Sequence, residues 1–173
     1  MKKIWIFGDS FAASESKDSW TTFAGQTVVN KSKNGSSEYR IWKTYQDFKH
    51  DIHETDTVIF CHTSSSRIYL KNSESLSSRL LASHPVCDLI FSDVFAKKEI
   101  KFIKILKEIW DDDYFQDTYN LLVADLKTVP NSVHLNFFDA GVYNTIWKDN
   151  PGKINHMDST GNNLVKIELL KLL

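Results

Sequence analysis

Lys3-Ile-Trp-Ile-Phe-Gly8-Asp9-Ser10-Phe11 is the stretch whose reading decides the fold. Four consecutive apolar residues, Ile4 to Phe7, of β-branched and aromatic type and followed directly by a glycine, predict a short, fully buried strand that stops at Gly8. In an open α/β sheet the loops at the carboxyl ends of the strands line the binding crevice, so Ser10 falls at the mouth of that crevice. Its backbone N–H then points into the same cavity as one donor for an oxyanion. Gly8-Asp9-Ser10 also has a plainer reading as turn chemistry, with Gly supplying backbone freedom and Asp or Ser capping the next helix.

Working outward, Phe11 to Phe23 is rich in Ser and Thr and is expected to cross back as a short or irregular helix. Gln26-Thr-Val-Val-Asn30 fits a second strand, brief, β-branched and closed by a turn former, and Lys31 to Ser37 has loop composition. Tyr39, Ile41, Trp42, Tyr45 and Phe48 recur at helical spacing, which predicts an amphipathic helix over Glu38 to His50. Thr57-Val-Ile-Phe-Cys61 is the clearest strand after the first, with His62-Thr-Ser-Ser-Ser-Arg67 leaving its carboxyl end. Strands separated by helical segments, each followed by a polar loop, are the pattern of a parallel sheet.

Lys71 to Phe95 is Ser-rich with scattered leucines and suits a lid or insertion packed over the sheet edge. From Ala96 a helical stripe of Ile100, Ile103, Leu106 and Trp110 runs to Asp111-Asp-Asp113, and Phe115, Tyr119, Leu122, Leu126 and Val129 continue it. The triple Asp is placed for the helix macrodipole in preference to a metal. Ser132 to Phe138 predicts a further strand, Gly141 to Ile154 reads as loop, and Asp158 or Ser159 can cap a last helix with Leu164, Ile167 and Leu170 toward the core. The fold class is therefore α/β: a three-layer α/β/α arrangement on a mainly parallel, flavodoxin-like sheet, in one domain over residues 1–173.

The composition is that of a globular protein, 42% hydrophobic and 25% charged. A formal net charge of -1 excludes a strong electrostatic grip on nucleic acid or an anionic membrane. The first apolar run is too short for a secretion signal and no stretch is long enough to span a bilayer, so a cytoplasmic location is expected. Cys61 and Cys87 have apolar neighbours and no metal-ligand spacing, and read as buried thiols.

A serine nucleophile needs a base within hydrogen-bond reach and donors for the oxyanion. Of six histidines, His62 and His156 fall in loops after strands, and His156 stands directly before the final helix, in Asn155-His-Met-Asp-Ser-Thr-Gly161-Asn162. At this point the sequence resembles the SGNH or GDSL hydrolases, which are esterases, lipases, thioesterases and carbohydrate deacetylases. Gly8-Asp9-Ser10-Phe11 is similar to the block carrying the nucleophile, Val28-Val-Asn30 with Asn34-Gly35-Ser-Ser37 to the block whose glycine N–H serves the oxyanion, and His156 to Asn162 to the block carrying the base.

The resemblance implies Ser10 as nucleophile, His156 as base and Gly35 as an oxyanion donor, with Asp9 beside them. It implies no metal or other cofactor, and a small-molecule, carbohydrate or lipid ester as substrate. Two departures stand out. The family's Gly-x-Asn-Asp block is replaced by Cys61-His-Thr-Ser64, where Thr63 or Ser64 can donate in place of the Asn and Arg67 adds a charge, a pattern similar to a virus-encoded branch. Lys153 occupies the position of the usual Asp, three residues before the base, which leaves Asp149, Asp139 or Asp158, or a backbone carbonyl, to orient His156, with Asp149 preferred among the acids because it belongs to the loop that delivers the histidine. A binding or structural protein on the same scaffold, and a flavin- or nucleotide-binding flavodoxin-like protein, are the readings from other classes.

Overall fold

The computed structural model describes residues 2–13, 19–69, 89–90, 108, 111–153 and 156–173. Strands β1 (Lys3–Gly8), β2 (Thr27–Asn30), β3 (Thr57–His62) and β6 (Ser132–Asn136) form a parallel sheet in the order β2-β1-β3-β6. A separate two-stranded antiparallel ribbon pairs β4 (Arg67–Ile68) with β5 (Leu89–Ile90). The described helices are α1 (Glu38–Phe48), α2 (Asp112–Leu126), α3 (Val142–Asp149) and α4 (Ser159–Leu170). This is the three-layer, flavodoxin-like arrangement that the strand pattern predicts.

The layers follow from side-chain alternation along buried strands. Ile4 and Ile6 of β1, with Ile59 and Cys61 of β3, face a cluster completed by Phe11, Trp20, Val165 and Leu169, against which Tyr143, Ile146 and Trp147 of α3 pack. Trp5 and Phe7, with Val58 and Phe60, face the other side and meet Ile41 of α1 and Leu126 of α2. Ser37 caps α1 by accepting the Arg40 N–H at 3.4 Å, and the Trp42 indole N–H donates to Asp125 at 2.7 Å, which pins α1 to α2. Gly8 is demanded by packing: a Cβ there would come 2.7 Å from the Cys61 Cβ, closer than unbonded carbons approach. Cys61 is a buried free thiol; Cys87 lies outside the described residues.

Several expectations are corrected. Within Phe11 to Phe23 the middle of the expected crossover helix, 14–18, lies outside the described residues; the described ends are turns anchored on Asp9 and Ser19, and Trp20, fully buried, donates its indole N–H to the Phe11 carbonyl at 2.8 Å. Gly141 to Ile154 is not all loop, because α3 occupies Val142–Asp149. That helix is only 8 residues long, and although Val142, Tyr143, Ile146 and Trp147 fall at helical spacing, the turn formers Gly141 and Pro151-Gly152 on either side give so short a stretch the look of a loop. Asp158 does cap α4, accepting the Gly161 N–H at 2.8 Å, but the buried face is Gly161, Val165 and Leu169, while Leu164, Ile167 and Leu170 are exposed. Asp111 caps α2 by accepting the Tyr114 N–H at 3.0 Å, with Asp112 and Asp113 in the first turn, so the triple Asp stands at a helix start as the macrodipole reading expects. The stripe over Ile100 to Trp110 and the side chains of the 71–95 segment lie outside the described residues. Among the described residues no helix is long and apolar enough to cross a membrane.

At the amino ends of the strands, Asp56 accepts the Lys3 N–H at 2.9 Å, the buried Trp5 indole N–H at 2.9 Å and the His53 N–H at 3.1 Å, tying β1 to β3. Burial works to raise this carboxyl, but the three donors outweigh it and hold it below the ordinary value of 3.8. A depressed carboxylate stabilises the fold above its unfolded pKa, and that contribution is lost as the pH falls through the lower folded value. Asp56→Ala should cost about 1–3 kcal/mol at pH 7 because it strands the Trp5 N–H. Denaturant titrations should show the gap to the wild type narrowing as the pH falls below 3.8.

Candidate active site

The chain leaves β1 toward β2 on one side, while β3 lies on the other, so the topological switch point of the sheet lies at the carboxyl ends of β1 and β3. Ser10, half-buried, stands in the first turn past β1. The loop after β2 runs along this edge: the Lys31 N–H donates to Ile6 O at 2.8 Å and the Lys33 N–H to Gly8 O at 3.1 Å. That brings in Gly35, buried and at φ 69°, a left-handed backbone that suits glycine. The Asn30 side chain donates to Ala12 O at 2.7 Å, stapling this loop to the Ser10 turn. Among the described residues neither the Ser10 nor the Gly35 N–H is spent on an acceptor.

His156 reaches the same edge from the other end of the chain. Residues 150–152 pair back on 156–158 through Gly152 N–H to His156 O at 2.7 Å and Asp158 N–H to Asn150 O at 3.1 Å, which makes a tight loop displaying the imidazole. The ring rests on Phe11, the neighbour of Ser10, with centroids 5.4 Å apart. Among the described residues the Ser10 hydroxyl and this ring share no hydrogen bond, and no carboxylate bonds the ring. Asp149 ends α3 exposed, Asp139 accepts from the Asn136 amide at 2.7 Å, and Asp158 is occupied as the α4 cap.

Asp9 is the buried hub beneath. Fully enclosed, it accepts the Phe11 N–H at 2.9 Å and the Thr63 hydroxyl at 3.0 Å, and Arg67 Nη2 lies 3.4 Å from its carboxylate. Burial raises the Asp9 carboxyl above the usual range, with Arg67, the Phe11 N–H, Thr63 and the His156 charge pulling it back. Every contact on Asp9 is a donor, the pattern that suits a carboxylate. Thr63 is thereby spent: its hydroxyl proton goes to Asp9 and its N–H to Glu38 at 3.2 Å, leaving nothing for an oxyanion. Ser64 pairs its hydroxyl with Ser66 at 2.7 Å. Arg67 is close to the site, but its guanidinium serves Asp9 and, at 3.3 Å, the Ser36 carbonyl.

A second polar group stands beside this one and was not legible in the sequence. Glu38, at the start of α1, bonds His62 Nδ1 at 2.8 Å, and His62 Nε2 bonds His134 Nδ1 at 2.8 Å. His62 is not in the expected loop but is the last residue of β3, paired with Asn136 of β6, and its side-chain partners come from α1 and β6, residues that no local spacing relates. No family model matches the chain, and no curated protein matches it.

Asp9→Ala should destabilise the fold by about 3–5 kcal/mol, because it leaves the Arg67 guanidinium buried without its counter-charge. Asp9→Ala with Arg67→Met should cost clearly less than the sum of the two single changes in a denaturant double-mutant cycle.

Proposed function

We propose that this chain is a serine-dependent hydrolase of the SGNH or GDSL kind, acting on an acyl or acetyl ester. What supports the reading is that the His156 ring lies against Phe11, the neighbour of Ser10, and that the loop leading to Gly35 is bonded to the end of β1 and to the Ser10 turn, beside the switch point of the parallel sheet. Ser10 Oγ attacks the ester carbonyl while His156 takes the hydroxyl proton and returns it to the departing alcohol; water then attacks the acyl-enzyme by the same route. The N–H groups of Ser10 and Gly35 hold the oxyanion. The ester is a small molecule, carbohydrate or lipid, the expected location is the cytoplasm, and the similarity to a virus-encoded branch belongs to the same reading.

Among the described residues none of Asp149, Asp139 and Asp158 bonds the imidazole, Asp139 being held by Asn136 and Asp158 by the Gly161 N–H. His156 therefore acts as the base of a dyad, its orientation set by the Phe11 contact and the 150–158 loop. That same lack of an acid favours a second reading, a binding or structural protein that keeps the scaffold without turnover.

A fluorophosphonate probe separates the two. Covalent labelling should occur in the folded wild type, vanish in Ser10→Ala, and slow by at least about a hundredfold in His156→Ala. Folded wild-type protein that takes up no label overturns the hydrolase reading in favour of the binding protein.

A further inference from the structure

Glu38, His62 and His134 belong to no step of the hydrolysis, and their hydrogen bonds run in one direction. The Ser132 hydroxyl donates its single proton to Val129 O at 2.7 Å, so it can only accept from His134 Nε2, 3.0 Å away. His134 therefore carries its proton on Nε2 and accepts at Nδ1. That acceptor requires His62 to donate from Nε2, and the contact between His62 Nδ1 and Glu38 Oε1 then holds one shared proton. The two imidazoles are parallel within 7°, with centroids 5.1 Å apart. With the 2.8 Å N···N contact, that separation matches an edge-to-edge arrangement in one plane, the geometry for passing a proton.

The two ends of this chain open on different spaces. Glu38 lies in a cavity of about 180 Å³ walled by Tyr39, Tyr69, Phe115 and Tyr119, with Arg67 at its edge. Ser132 and His134 line an open cleft of about 550 Å³ on the far side of the sheet edge. The charged neighbours suit transfer without trapping. His134 is held neutral, pushed down to about 4 by burial, by the His62 charge and by Lys127. Tyr119, beside Glu38, is kept a neutral phenol chiefly by burial, then by the Glu38 and Asp139 charges.

We propose that Glu38, His62 and His134 form a second acid–base centre, separate from Ser10, in which Glu38 exchanges a proton with a one-ring hydroxylated ligand held between the tyrosines. The balance closes. A ligand hydroxyl gives its proton to Glu38, the shared proton settles on His62 Nδ1, His62 passes its Nε2 proton to His134 Nδ1, and His134 passes its Nε2 proton to Ser132 Oγ, which gives up its own hydroxyl proton to the cleft and then donates back to Nε2. One proton enters, one leaves, and both histidines exchange tautomers. The aromatic walls stack on a ring, and the volume admits one ring.

NMR of protein with ¹⁵N-labelled histidine, using phenol as the probe, tests this. The free protein should show His134 protonated on Nε2, His62 protonated on Nε2, and an exchange-protected, far-downfield proton between Glu38 and His62 that disappears in Glu38→Gln. At about pH 10, where a phenol hydroxyl is ready to give up its proton, millimolar phenol should shift both histidines' ring nitrogens toward the opposite tautomers in the wild type and in Ser10→Ala, so failure of the hydrolase reading leaves this result untouched. Tyr39→Ala, which alters a half-exposed wall, should keep the free tautomers and weaken the phenol response at least tenfold. His134 found on Nδ1 in the free protein, or a phenol response that stays at the tyrosines and never reaches His134, overturns the proposal.

Discussion

A carboxylate with no access to water must be surrounded by donors, and Asp9 meets that demand by recruiting them from three separate parts of the chain. Phe11 N–H comes from its own turn, the Thr63 hydroxyl from the end of β3, and the Arg67 guanidinium from β4. Desolvating such a pair is expensive, so the energetic role of the cluster is asymmetric: intact it adds little net stability, whereas losing one member leaves a buried charge exposed to an apolar interior. The position of Ser10 depends on this constraint, because the serine is flanked on one side by Asp9 and on the other by the Phe11 N–H that Asp9 holds.

Thr63 connects this hub to the second buried carboxylate, giving its hydroxyl to Asp9 and its amide to Glu38. Two acids a few residues from the crevice are thus held rigid by one small side chain, and Arg67 extends the same network to the Ser36 carbonyl beside Gly35. The loops that carry Ser10 and Gly35 are therefore held by polar contacts to β1, to each other and to the buried network beneath them, the kind of support that a site needs to place donors within a fraction of an ångström. The side chains that a sequence motif would assign to the substrate, Thr63 and Arg67, are committed to that underlying frame.

The apolar architecture divides the labour. Each central strand sends alternate residues to opposite faces, so the helices α1 and α2 cover one side and α3 and α4 the other. Close contact between β1 and β3 at Gly8 and Cys61 draws the two strand ends together where the crevice begins. On the α4 side, Phe11 packs in the core while also bearing the His156 ring, which couples the interior to the histidine's placement.

What the sequence determined by itself was the parallel sheet and the edge that carries Ser10. Runs such as Ile4 to Phe7 and Val58 to Cys61 are so densely apolar and β-branched that burial on both faces is their one stable outcome, and Ser37, Asp111 and Asp158 mark helix starts through local hydrogen bonds. The buried face of α4 is not legible in the same way, because Leu164, Ile167 and Leu170 have the same periodicity as the buried Val165 and Leu169, and hydrophobicity alone does not say which stripe finds a neighbour. The short α3 is hidden by the turn formers on either side of it, although Tyr143, Ile146 and Trp147 recur at helical spacing and pack on the core. Partner choice among polar groups was decided by tertiary structure alone: Arg67 on Asp9, Glu38 on His62 and His62 on His134 join residues far apart in the chain, and each bond forms because folding removes the water that would otherwise satisfy it.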